Sequence, residues 1–143
     1  MRCSDFEALV RRLVREVPAE FLEGIALNAW LSKHPTPPIR YCVRIAREVA
    51  IGLGAAHAKN LVHRDIKPSN VWLEAPKGRV KILDFGLARG LDDVRLTIAG
   101  VAVGSPAFMS PEQARGDDVD FRTDLFSLGS LLYRLCSGEL PFR

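Results

Sequence analysis

Apolar residues recur with helical spacing at both ends of the chain and in its centre, and with strand spacing only briefly. Phe6, Leu9, Val10, Leu13, Val14 and Val17 follow the i, i+3, i+4 repeat and predict an amphipathic helix over 4–17. Ser4 and Glu7 fit a capping box at its start, and Pro18 would stop it. Residues 20–24 read as a short extended segment that turns into a helix over 26–31. Pro35, Pro37 and Pro38 then interrupt the chain, with Thr36 placed as an N-cap and Pro37 at the first helical position. The longest periodic stretch is 39–59, and Val43, Ala46, Ala50, Leu53 and Ala56 share its predicted inner face. Gly52 and Gly54 weaken that helix slightly but allow close packing against a neighbour.

Beyond residue 59 the pattern changes. Val71-Trp72-Leu73 and Val80-Lys81-Ile82-Leu83 are β-rich runs separated by Pro76, Lys77 and Gly78, which predicts a small hairpin. Residues 86–110 show no sustained period, and a connection that long is usually functional or mobile. Residues 125–135 are again apolar and helical in type, ending near Ser137-Gly138. The predicted class is α+β, mostly α, with a small β-hairpin.

Composition adds bounds. At 143 residues, 48% hydrophobic and 26% charged, the chain can bury a core of its own. A net charge of +3 is too small to argue for nucleic acid or a membrane surface. No apolar run approaches a membrane span, and no signal-peptide h-region is visible. Cys3, Cys42 and Cys136 are odd in number and far apart, which argues against structural zinc or a disulfide framework and for a reducing, cytoplasmic setting.

The densest chemistry lies in His63-Arg64-Asp65-Ile66-Lys67-Pro68-Ser69-Asn70, followed fourteen residues later by Asp84-Phe85-Gly86. Asp65 is a candidate proton acceptor, Lys67 a fixed cation, and Asn70 and Asp84 hard oxygen ligands suited to Mg²⁺. Phosphoryl transfer needs that combination, because its charge resides on phosphate oxygens and the protein mainly positions and neutralises. Alone, Asn70 would read as a turn residue and Asp84 as a strand-end cap; their joint spacing from Asp65 favours the chemical reading.

These motifs resemble the catalytic loop and D-F-G of serine/threonine protein kinases. The resemblance extends from about residue 20 to the C-terminus. It implies a partial kinase domain over 19–143, the large C-terminal lobe in incomplete form, preceded by a helix of uncertain role over 1–18. Residues 20–24 resemble the hinge, where Glu20 and Leu22 would pair with adenine through their backbone. Trp72 and Leu83 stand where the family has the floor of the adenine pocket, although Trp72 also reads as a core residue of the hairpin. The activation segment would run over 84–112, closed by Ser110-Pro111-Glu112 in place of A-P-E. Arg64 would hold a phosphate or acidic group on that segment, with Thr97 the leading acceptor. Ser105, in a segment resembling the substrate loop, would bond to Asp65 and Lys67. His63 would be structural, and Asp124 resembles the buried aspartate at the start of the lobe's central helix. Lys67 and the Gly104-Ser105-Pro106 segment favour serine or threonine over tyrosine as acceptor. The wording around Met109-Ser110-Pro111-Glu112 is similar to bacterial members of the eukaryotic-type family.

The implied cofactors are ATP and Mg²⁺, and the implied partner is a protein substrate. Several family features have no counterpart here: no G-x-G-x-x-G, no strand lysine before the hinge, no helix glutamate to pair with it, and no arginine to meet Glu112. The expectation is therefore that these residues alone are inactive, since so much of this catalysis is positioning. The other readings are a pseudokinase-like protein-binding module and a weak ATP binder without turnover. Apolar faces left exposed would favour self-association.

Overall fold

The structure is a computed structural model that describes residues 24–75, 79–85 and 106–142. The predicted 4–17 helix, Glu20, Leu22, Thr97 and Ser105 lie outside the described residues.

The fold is built around one long helix. Cys42, Ile45, Val49, Leu53 and Ala56 recur at helical spacing and are all buried, which fixes helix α2 at Ile39–His57. This face differs by one residue from the predicted one. Val43 and Ala50 are exposed and Ala46 is only partly covered, while Leu53 and Ala56 are buried as expected. A shift of one position turns a helix by about 100°, and Ile45 and Val49, the bulkier pair, win the inner side. Thr36 does not cap α2 either. The helix starts after Pro38, whose extended backbone serves as N-cap without any side-chain bond. Gly52 meets Ile82 closely, a Cβ there falling 3.0 Å from its Cδ1, whereas Gly54 faces open space.

Ahead of α2 lie strand β1 (Gly24–Ala26) and helix α1 (Leu27–Lys33). Strands β2 (Val71–Glu74) and β3 (Arg79–Ile82) form the expected hairpin. The sheet has a third member: β1 pairs antiparallel with β2, Ile25 opposite Leu73, giving the order β1-β2-β3. Gly24 makes this approach feasible, because a Cβ there would lie 2.4 Å from the Leu73 carbonyl and 2.5 Å from the Trp72 indole nitrogen. The edge strand β3 is tied to α2 by Glu48, whose carboxylate accepts the Val80 N–H at 2.8 Å. That bond, with Arg44 beside it, holds the Glu48 carboxyl below the usual carboxylate range against the opposing effect of burial.

Toward the C-terminus come a single 3₁₀ turn at Pro106–Phe108, helix α3 (Pro111–Arg115) and helix α4 (Phe121–Ser137). Helix α4 begins four residues before the apolar run that announced it. Asp120 caps it by accepting the Arg122 N–H at 2.8 Å, and its first turn carries the polar Thr123 and Asp124, both fully buried. Gly138 ends it in the left-handed region with φ 77°, where a Cβ would also press on Thr36 at 2.7 Å.

Helix α2 packs on both α4 and the sheet. Contacts of Cys42 with Leu135 and of His57 with Asp124 show that α2 and α4 run antiparallel. Between them and α1 lies one core of Leu27, Leu31, Cys42, Ile45, Val49, Leu53, Ile66, Val71, Leu131 and Leu135. Burying each leucine fully stabilises the fold by about 1.5–3 kcal/mol. The outer faces of both long helices remain apolar in part: Ile39, Val43 and Ile51 on α2, Phe121 and Leu125 on α4, each at least half exposed. Among the described residues no helix is long and apolar enough to cross a membrane.

Candidate active site

The segment 61–70 leaves α2 and returns to β2 with no regular structure except a single 3₁₀ turn at Pro68–Asn70, so the shape of its first part depends on side chains that bond its backbone. Asp124 is the main one. Completely buried at the start of α4, its carboxylate accepts the N–H of His63 at 2.8 Å and of Arg64 at 2.7 Å. The same carboxylate accepts Nε2–H of His57 at 2.7 Å, from the last turn of α2. Charge-assisted bonds of this kind are about twice as strong as neutral ones. They hold Arg64 in the left-handed region at φ 69°, an uncommon place for a residue with a side chain. Gln113 of α3 reinforces that turn by donating its side-chain amide to the Arg64 carbonyl at 2.6 Å.

His63 is also fully buried, and its ring latches this loop to the next. The Asp65 N–H donates to Nδ1 at 3.2 Å, so the proton sits on Nε2, which donates to the Leu83 carbonyl at 2.8 Å. Phe85 packs edge-on against the ring at 4.7 Å between centroids. With both nitrogens engaged in holding backbone, His63 has a structural role. A second tie runs the other way, from the Leu83 N–H to the Asn70 carbonyl at 2.8 Å. The residue between these latches and Phe85 is Asp84, in the left-handed region at φ 59°. Two backbone bonds to neighbouring Leu83 thus bring Asp84 beside the end of the catalytic-loop motif.

Within the loop, three predicted residues meet directly. Lys67 Nζ lies 2.8 Å from Asp65 Oδ2, both side chains about one-fifth exposed. Asn70 donates its Nδ2 to the Asp65 carbonyl at 2.8 Å and to Asp65 Oδ2 at 2.9 Å. Both partners can only accept, so the amide nitrogen must face them, and Asn70 Oδ1 takes no hydrogen bond among the described residues. The Asp84 carboxylate likewise takes no hydrogen bond among the described residues. These two oxygens suit Mg²⁺, which takes few protein ligands and fills its remaining positions with water and phosphate oxygen. Among the described residues no cluster of three or more His, Cys, Asp or Glu offers an all-protein metal site.

The surroundings of the adenine-floor residues are less complete. Trp72 is half-buried over Gly24, and its indole N–H has no partner among the described residues. A cavity of about 470 Å³ does open beside β2, but it is lined by Gly24, Ile25, Trp30, Tyr41, Ile45 and Leu73. Successive side chains of a strand point to opposite faces. Leu73 therefore looks into this cavity from the face of β2 opposite to Trp72, and neither Trp72 nor Leu83 lines it. It is not the nucleotide pocket that was expected.

Among the described residues Arg64 carries a second buried donor without a partner, its Nε. Glu112, for which the sequence offered no arginine partner, accepts the hydroxyl of Thr123 at 2.6 Å, and that bond is the main cause of its lowered pKa. Ser110, fully buried, completes the capping box of α3 with Gln113 and reaches Thr123 at 3.1 Å.

Sequence reading missed His57, Gln113 and Glu48 as positioning residues. Gln113 had a usable signal, since Ser110 and Gln113 have capping-box spacing. His57 and Glu48 had none, because each acts on a segment distant in sequence.

Comparison with known proteins adds a separate line of support. The protein kinase domain family matches residues 11–143. The chain is 45% identical over 129 residues to the serine/threonine-protein kinase Pkn1 of Myxococcus xanthus, covering 86% of this chain and 18% of that protein. To PknL of Mycobacterium tuberculosis it is 42% identical over 123 residues, covering 86% and 31%. To PknB of Mycobacterium leprae it is 36% identical over 124 residues, covering 86% and 20%. The chain thus spans less than a third of the length of these curated relatives.

Proposed function

The chain belongs to the protein kinase domain family, and from that premise we propose that its polar cluster serves transfer of the γ-phosphoryl group of ATP to a serine or threonine hydroxyl of a protein. The observation that carries this reading is the convergence of Lys67 and Asn70 on the Asp65 carboxylate, with Asp84 held alongside through Leu83.

The roles follow from what each atom is free to do. Asp65 keeps Oδ1 clear of the bonds that fix Oδ2, so it can accept the substrate hydroxyl proton or orient that hydroxyl. Lys67 places its charge 2.8 Å from that carboxylate, near where an incoming phosphate would gather negative charge. Asn70 Oδ1 and the Asp84 carboxylate would hold Mg²⁺, which supplies charge neutralisation across the phosphates when bound. Glu20 and Leu22 would receive adenine, and Trp72 and Leu83 would support its ring. Arg64, whose buried Nε has no partner among the described residues, would take an anion on the activation segment, Thr97 phosphate being the candidate. Ser105 would hold the substrate-side loop to Asp65. The unpaired thiols of Cys42 and Cys136 fit a reducing cytoplasm.

A thermal-shift titration with Mg²⁺–ATP tests the assignment. A ligand that binds only the folded state raises stability by RT ln(1 + [L]/Kd), about 2.7 kcal/mol at a hundredfold excess over Kd. The midpoint should rise for the native chain and stay flat for Asn70→Ala and Asp84→Ala at equal ligand concentration. Equal shifts in all three proteins would remove Asn70 and Asp84 from the site.

A further inference from the structure

The cavity of about 470 Å³ beside β2 takes no part in phosphoryl transfer, yet it is built like a ligand site. Its walls are Ile25 of β1, Trp30 of α1, Tyr41 and Ile45 of α2, and Leu73 of β2. Three aliphatic and two aromatic side chains from four elements thus converge on one hollow. The Trp30 and Tyr41 rings meet edge-on, 6.4 Å apart and at 76° to each other, so they form a corner. A flat ring placed there can stack on one of them and meet the edge of the other. The volume lies inside the range of about 300–1,000 Å³ typical of small-molecule pockets. Nine residues line it, against about 20–30 on each side of a stable protein interface, so its size suits a small molecule.

The rim sets the charge of that molecule. Arg44 and Glu74 are the charged members of the lining. The Glu74 carboxylate is already met by Lys81 at 2.6 Å and Arg79 at 3.1 Å. Arg44 donates its Nε to Glu48 at 3.1 Å, with about half of its side chain exposed. Arg40, one turn earlier, lays its guanidinium over the Tyr41 ring at 4.9 Å. Among the described residues, these four cations stand against two carboxylates around the mouth, an excess that favours an anion. A guanidinium can serve two anions at once, because its five N–H donors point along more than one edge.

We propose that this cavity binds a small molecule with a flat aromatic body and one carboxylate, its ring in the corner of Trp30 and Tyr41 and its acid group toward Arg44. Leu73 and Trp72 project to opposite faces of β2, so this ligand and a nucleotide over Trp72 lie on different sides of the sheet. The two sites therefore fill independently.

Naphthoate is the probe, titrated into the native chain while two-dimensional NMR spectra are recorded. Signals of Ile25, Trp30, Ile45 and Leu73 should shift together along one saturable curve. Leu125 and Leu132, exposed apolar residues of α4, should not move. Naphthamide, with the same ring and no charge, should bind about tenfold more weakly, the low end for losing a hydrogen bond to a charged group. Arg44→Gln should bring naphthoate to that weaker level and leave naphthamide unchanged. Saturating Mg²⁺–ATP should leave the naphthoate curve in place, and the curve stands whether or not ATP binds. Equal affinity of the native chain for the two naphthalenes, displacement of naphthoate by ATP, or shifts that spread to Leu125 and Leu132 without saturating would each overturn the proposal. So would silence of the four cavity signals up to millimolar naphthoate, and all of these results are readable in the native chain even if the variant folds poorly.

Discussion

Removing the Asp124 carboxylate is the sharpest test of how the 61–70 loop is held. Asp124→Ala leaves two buried backbone N–H groups, those of His63 and Arg64, and the His57 Nε2–H without their acceptor. Each unsatisfied buried donor costs about 1–3 kcal/mol, and breaking a buried charged network costs about 3–5 kcal/mol in all. A loss of about 3–5 kcal/mol is a large share of a typical folding free energy of about 5–15 kcal/mol. Asp124→Asn should cost less, about 1–3 kcal/mol, because its Oδ1 still serves one N–H while its amide nitrogen presents a donor to the other. Urea unfolding of the three proteins, with the slope checked for constancy, gives both differences. The left-handed turn at Arg64 should loosen with the anchor, so amide exchange of Arg64 and Asp65 should accelerate more than that of the α2 core. A cost below about 1 kcal/mol for Asp124→Ala, or equal costs for Ala and Asn, would refute the idea that this carboxylate shapes the loop.

Two further outcomes concern the scaffold. Glu48→Ala frees the Val80 N–H on the sheet edge and should lower stability by about 1–3 kcal/mol at pH 7. Because the folded-state pKa of Glu48 lies below its ordinary 4.5, that difference is complete above this value and vanishes as pH falls through the lowered one; denaturation at pH 7 and in strong acid reads it. A difference that grew on acidification would contradict the sign. Gly138→Ala forces a side chain into φ 77° and against Thr36, and should lower the thermal midpoint by the equivalent of about 1 kcal/mol or more.

The sequence made some of this legible and hid the rest for identifiable reasons. Asp65, Lys67 and Asn70 were readable because they sit within six residues of one another, and a loop that short can hardly keep them apart. Asp84 was readable through spacing alone; its latch, the pair of bonds between Leu83 and the His63 and Asn70 positions, has no signature in one sequence. The hairpin β2–β3 was visible from its two β-rich runs, whereas β1 was not, because three residues carry no period and their strand character comes from pairing with β2. The inner face of α2 was misjudged by one position because alanines and valines surround it on both sides, and only packing against α4 and β3 decides which row is covered. The start of α4 was missed for a related reason. By pattern Thr123 looks like a surface residue, yet it is buried because it satisfies Glu112; Asp124 was placed as a buried aspartate by the family resemblance alone, and its partner, the loop backbone, was not visible. Buried polar residues are read correctly only once their partners are known.

The most direct test of the site uses manganese in place of magnesium, because its unpaired electrons broaden nearby nuclear resonances. With ATP and substoichiometric Mn²⁺, the amide signals of Asp65, Asn70 and Asp84 should broaden first and together, while those of Leu31 and Cys136 stay sharp. Broadening confined to exposed carboxylates such as Asp117 and Asp118, with the three loop signals unaffected, would contradict the assignment of Asn70 and Asp84 as the metal-binding pair.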